Sequence, residues 1–135
     1  MRIGILSDTH GNVRRTLRAI AALKPFAPVH IIHCGDIGSQ AVLDELAAGF
    51  ADPPVPITCV LGNVDEWEQA LSAPLPHLKI RGGFADVEID GRRIAVTHGH
   101  RALSLDEAIA SQRYDYVFTG HTNQRADELD RRTRA

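Results

Sequence analysis

Five short pieces of the chain end an apolar run with side chains that can hold a metal ion: Asp8-Thr9-His10, Gly35-Asp36, Gly62-Asn63, His98-Gly99-His100 and Gly120-His121-Thr122-Asn123. Carboxylate, amide and imidazole donors without thiolates suit Mn, Fe, Ni or Zn in a catalytic setting better than a Cys-rich structural zinc site. Two dications carry four positive charges, of which the carboxylates of these pieces, Asp8 and Asp36, cancel two. What remains is an electropositive centre that favours phosphoryl chemistry.

Each residue also has a simpler reading. Asp8 could cap the first helix, as Asn12 could equally well, and Asp36 could be a turn residue beside Gly35. Asn63 after Gly62 is a routine turn signal, although its amide oxygen is a good ligand for a hard cation. His98 and His121 follow β-rich runs and flank glycine, which tells more of a metal role than a His on an apolar helix face would. His100 suits a phosphate contact or a solvated loop equally well. His30, His33 and His77 fall in none of the five pieces and read as structural or surface residues.

These groups can meet only if several strands end together. Ile3 to Leu6 reads as a strand, followed by Val13, Leu17, Ile20 and Leu23 at helical spacing, with Pro25 and Pro28 closing the segment. A second strand–helix unit follows, with Val29 to His33 leading into Gly35-Asp36 and a helix over Ala41 to Phe50 that starts near Ser39. After Pro53-Pro54-Val55-Pro56, Ile57 to Leu61 gives a third strand, and a short acidic helix is expected from about Asp65. Ala85, Val87 and Ile89 then alternate with polar residues, Asp90-Gly91 is a turn signal, and Arg93 to Thr97 returns as an antiparallel partner. A helix around Ser104 to Gln112 and a strand Tyr116 to Thr119 complete the reading. A parallel βαβ start followed by a hairpin predicts two sheets packed face to face with helices outside, a layered α/β design with loops at the strand ends forming the site.

Size and charge are consistent with this and add little about partners. At 135 residues, 44% of them hydrophobic, the chain reads as one domain spanning 1–135. A formal charge of −2 gives no sign of nucleic-acid binding. Cys34 and Cys59 sit inside apolar runs without a C-x-x-C spacing, so buried structural thiols are expected. The first apolar stretch is too short for a signal peptide and nothing approaches a membrane span, so a cytoplasmic protein with no membrane partner is the expectation.

Taken in order, the pieces resemble the motifs D-x-H, G-D, G-N, H-G-H and G-H-T-H of the calcineurin-like metallophosphoesterases, specifically their small single-domain prokaryotic, phosphodiesterase-type members. The resemblance implies a four-layer αββα sandwich of two mixed β-sheets flanked by helices. It implies two divalent ions, Mn foremost with Ni, Fe, Co or Zn as substitutes. One would be held by Asp8, His10, Asp36 and the position of Asn123, the other by Asp36, Asn63, His98 and His121, with Asp36 bridging. A hydroxide shared by the metals would attack phosphorus in line, and the substrate would be a phosphoester small molecule or nucleotide-like compound. His100 is then the candidate catalytic side chain beside the metals.

Three departures from the family pattern bear on activity. Asn123 stands where the closing motif has histidine; its oxygen can mimic the near imidazole nitrogen but falls short of the far one by about 2 Å. Val64 replaces a histidine that in larger relatives is thought to protonate the leaving group, which leans toward phosphodiesters over unactivated monoesters. After Leu129 come Arg131, Arg132 and Arg134 and the end of the chain, where relatives continue with another strand, so a missing C-terminal strand is expected, with a frayed tail or edge pairing into a homo-oligomer as consequences. The alternative from another class is a binding scaffold of low or no activity, a role the same fold serves in the retromer subunit.

Overall fold

Asn12 starts the first helix as a side-chain cap, its Oδ1 accepting the Arg15 N–H at 3.0 Å, and this leaves Asp8 free of that duty. The computed structural model describes residues 2–62, 65, 71–98 and 114–120. Within them run β1 (Ile3–Leu6), α1 (Val13–Leu23), a 3-10 turn (Lys24–Phe26), β2 (His30–His33), α2 (Gln40–Gly49) and β3 (Ile57–Cys59). After these come β4 (Leu78–Ile80), β5 (Phe84–Ile89), β6 (Arg92–Thr97) and β7 (Tyr116–Thr119).

The strands form two sheets. The first has the order β1-β2-β3-β4 and is parallel throughout. The second has the order β5-β6-β7, with β5 antiparallel and β7 parallel to β6. Only this second sheet is mixed over its described strands, whereas two mixed sheets are expected from the sequence. The reason is that β4 joins the first sheet in the same direction as β3. Its three residues, with only Leu78 and Ile80 apolar, are too short a run to read from the sequence.

Alternation along β2 and β3 divides the core in two. Ile31, Ile57 and Cys59 face the helices and pack with Ile20 of α1 and with Val42, Leu43 and Leu46 of α2. Ile32 and Val60 face the other way, with Cys34, and pack against Ala85, Ile89, Ile94 and Val96 of the second sheet. Each of the fully buried Ile and Leu side chains among them, Ile31, Ile32, Leu43, Leu46, Ile57 and Ile94, contributes about 1.5–3 kcal/mol. Helices, first sheet and second sheet are thus three successive layers among the described residues. The helix expected over 104–112, which would form a fourth layer, lies outside them.

Leu17, read as part of the buried stripe of α1, stays 47% exposed, while Ile20 is buried and Leu23 packs at the edge of the core. Asp90 and Gly91 both take positive φ, 52° and 76°, the combination that joins strands of a tight two-residue hairpin. No helix of the described residues is long and apolar enough to cross a membrane.

Candidate metal site

The loop after β1 and the loop after β2 are zipped together beyond the ends of their strands. Asp8 N–H donates to Gly35 O at 3.0 Å, His10 N–H to Asp36 O at 2.9 Å and Gly11 N–H to Ile37 O at 2.8 Å. Asp8, His10 and Asp36 all adopt left-handed backbone conformations, with φ of 56°, 47° and 57°. Such a conformation is uncommon for a residue with a Cβ and costs on the order of 1 kcal/mol or more each. The strain turns all three side chains into one space.

There the donor atoms of Asp8, His10 and Asp36 all lie within 4.8 Å of one another. His10 Nε2 is 3.6 Å from Asp8 Oδ1 and 3.8 Å from Asp36 Oδ2. Two carboxylates at this separation repel by roughly 3 kcal/mol at an effective dielectric constant of about 20. A divalent cation between them turns that repulsion into attraction.

His98, at the end of β6, approaches from the second sheet and is fully buried. Its Nε2 lies 3.2 Å from Asp36 Oδ2 and 4.0 Å from Asp8 Oδ1, and its Nδ1 lies 2.8 Å from the Cys34 carbonyl oxygen. A carbonyl only accepts, so Nδ1 carries the proton and in a neutral ring Nε2 presents a lone pair to the carboxylates. A lone pair facing an anion is stabilised by a positive charge between them, supplied by a proton on Nε2 or by a metal ion. The donor set therefore fits a metal ion, with the imidazole oriented through its remote nitrogen as metal-binding histidines are.

Glycines in the motifs are explained by what they touch. Gly35 has φ of +104°, and a Cβ there would lie 2.7 Å from His98 Nδ1. A Cβ on Gly62 would strike the backbone N and carboxylate of Asp36. Only glycine lets these loops approach the ligands so closely.

Side chains outside the ligand set hold the loops. Ser7 Oγ donates to Asp8 Oδ2 at 2.5 Å. Thr9 donates its hydroxyl proton to Ile37 O at 2.9 Å, so at 3.0 Å it accepts from His33 Nε2, and His33 Nδ1 accepts the Gly35 N–H at 3.1 Å. Burial pushes the His33 imidazole down to about 4, which keeps it neutral in this arrangement. Asp65, also buried, accepts the N–H groups of Ile37, Gly38 and Gly62 at 2.9–3.0 Å.

Sequence reasoning missed the roles of Ser7, Thr9 and Asp65 and left His33 open between core and surface. Of these, Asp65 carried a readable signal: an acid three residues after Gly62 whose carboxylate reaches back to that residue's N–H is half of a capping box. The structure brings together Asp8, His10, Asp36 and His98 as expected. Asn63, His100, His121 and Asn123 lie outside the described residues, as does Val64. Cys34 and Cys59 are buried free thiols, both pushed up to about 12 by burial. His30 bonds Thr58 at 2.8 Å and His77 donates to Ala47 O at 2.9 Å, both structural.

Comparison with known proteins agrees with this geometry. Residues 1–135 match the model of the calcineurin-like phosphoesterase superfamily domain. A phosphodiesterase of Methanocaldococcus jannaschii is 36% identical over 134 residues, spanning 96% of this chain and 78% of the relative. A solved archaeal phosphodiesterase superposes with a TM-score of 0.80 at 33% identity, covering 99% of this chain and 81% of that one. A phosphoesterase from E. coli superposes with a TM-score of 0.56 at 20% identity over 74% of this chain and 58% of that one, a likeness of fold alone.

Proposed function

The chain belongs to the calcineurin-like phosphoesterase superfamily, and from that premise we propose that it is a dinuclear metal-dependent phosphodiesterase acting on a small-molecule or nucleotide-like phosphodiester. The observation that carries the reading is the meeting of Asp8, His10 and Asp36 within 4.8 Å, with His98 Nε2 at 3.2 Å from Asp36 and its Nδ1 fixed by a carbonyl. Phosphodiesterase relatives of which the chain spans 78% and 81% support the substrate class.

In this reading Asp8, His10 and Asp36, with Asn123, hold one ion, and Asp36, Asn63, His98 and His121 hold the other. Two such ions, when bound, supply Lewis acidity to the phosphoryl oxygens and lower the pKa of attacking water. Asp36 Oδ2 lies 3.8 Å from His10 Nε2 and 3.2 Å from His98 Nε2, which supports reading it as the shared ligand. Asp8 and Asp36 supply only two negative charges, so a net positive charge is left for the anionic substrate. His98 cannot act as a mobile acid while the Cys34 carbonyl holds its Nδ1 proton. His100 is the side chain assigned to contact phosphate or the leaving group, and Val64 offers no acid, which favours diesters whose leaving group departs readily.

The test is hydrolysis of bis-p-nitrophenyl phosphate by the folded protein with Mn, Co, Ni or Zn. Turnover that depends on added metal and vanishes with chelator is the expected result. No turnover with any of the four ions, while circular dichroism shows a folded chain, would refute the enzyme and leave the scaffold.

A further inference from the structure

Asp65 is a buried carboxylate outside the expected ligand set, and it bonds two separate ligand loops. Its Oδ2 accepts the N–H of Ile37 and of Gly62, both at 3.0 Å, and its Oδ1 accepts the N–H of Gly38 at 2.9 Å. Ile37 and Gly38 directly follow Asp36, and Gly62 directly precedes Asn63. Three backbone donors aimed at one carboxylate form a rigid anion nest, and the bonds are charge-assisted. The carboxylate is 6% exposed, so the alternative partner, water, is largely excluded.

The two loops it joins leave parallel neighbouring strands, β2 and β3, at the same end. Nothing in strand pairing fixes how far apart the loops stand once the ladder has ended. There Gly62 stands so close to Asp36 that no Cβ would fit between them, and Asp65 bonds both loops. We infer that Asp65 is a positioning residue of the metal site: its carboxylate clasps the Asp36 loop to the Asn63 loop and so sets the spacing at which the two loops offer their ligands to metal. This rests on the metal-dependent reading above.

An Asp65→Asn substitution keeps the shape but makes one of the two acceptor atoms an NH2 group. If the amide oxygen takes the Oδ2 place, the Gly38 N–H faces an amide donor; if it takes the Oδ1 place, Ile37 and Gly62 both do. The second placement frees Ile37 and Gly62 and so breaks the bridge, whereas the first loosens only Gly38 and leaves Ile37 and Gly62 bridged through one oxygen. The decisive variant is therefore Asp65→Ala, which removes both acceptors.

Mn(II) affinity, read from the electron paramagnetic resonance signal of the free ion, is the primary measurement, with a thermal melt in chelator as the check on folding. D65A is expected to remain folded and to bind Mn(II) about 10–100-fold more weakly than the unsubstituted chain, the range typical of groups that orient metal ligands. Equal affinity for the two proteins overturns the inference. If D65A does not fold, amide hydrogen exchange on the metal-free unsubstituted protein decides: Ile37, Gly38 and Gly62 amides protected like those of β2 support the clasp, and exchange like that of open loops overturns it. An unsubstituted chain that binds no Mn(II) refutes the metal-dependent reading, while the exchange experiment still reports on the clasp.

Discussion

His98 Nδ1 donates to the carbonyl oxygen of Cys34 at 2.8 Å, a hydrogen bond that ties the end of β6 in the second sheet to the loop after β2 in the first. The bond leaves Nε2 as the only ring atom that can face the carboxylates. Replacing His98 by Asn removes that atom while keeping a polar side chain. Diesterase kcat/KM at limiting Mn is expected to fall at least about a hundredfold; a loss smaller than threefold would show that Nε2 does not ligate.

The proximity of Asp8 and Asp36 gives a second prediction, in which stability and activity move in opposite directions. Asp36→Asn relieves the carboxylate repulsion, so the metal-free protein is expected to melt higher than the unsubstituted chain, by an amount bounded by roughly 3 kcal/mol. The same change should abolish metal-dependent turnover. A lower melting temperature in chelator would mean that Asp36 is held by attractive contacts that outweigh the repulsion.

Metal should stabilise what the carboxylates destabilise. Manganese at a hundred times its dissociation constant adds about 2.7 kcal/mol to a one-site protein, which for a chain of this size raises Tm by roughly 10 °C. Differential scanning fluorimetry with and without Mn reads this directly. An unchanged Tm at millimolar Mn would contradict the site.

His33 predicts a pH dependence of folding. Its imidazole titrates near 6.5 when unfolded and near 4 when buried in the native state. Above pH 6.5 both states are neutral and nothing is lost; as pH falls from 6.5 toward 4 the unfolded chain takes a proton that the native one refuses. Stability from this residue should decline over that window by about 3 kcal/mol. His33→Gln is expected to be less stable at pH 7 but to show a flatter profile between pH 6.5 and 4; parallel profiles for the two proteins would remove His33 as the cause.

Asn123→His restores the donor that the family motif carries. If Asn123 reaches its ion poorly, the substitution should raise activity at limiting Mn by about tenfold or more. Unchanged activity across the Mn titration would show that the asparagine oxygen ligates adequately or plays no part.

The first two strand–helix units and the hairpin were legible because their apolar periods are long and their turn residues are explicit, as Asp90-Gly91 shows. The four candidate ligands that the structure brings together, Asp8, His10, Asp36 and His98, were legible because each follows a glycine or a strand end. β4 was not, since two apolar residues in three carry no period. Thr9 and His33 were hidden for a different reason: apart from their bond to each other their partners are backbone N–H and C=O groups, which every residue possesses. The capping-box signal of Asp65 likewise says nothing of its bonds to the Ile37 and Gly38 N–H groups.

Left-handed backbone at Asp8, His10 and Asp36 has a consequence for how the protein could be changed. Glycine at any of the three would relax the chain, so a selection for heat resistance alone would tend to erase these candidate ligands one by one. Variants of this fold that melt higher than the present chain are therefore best screened with metal present, where the ligands also contribute to stability.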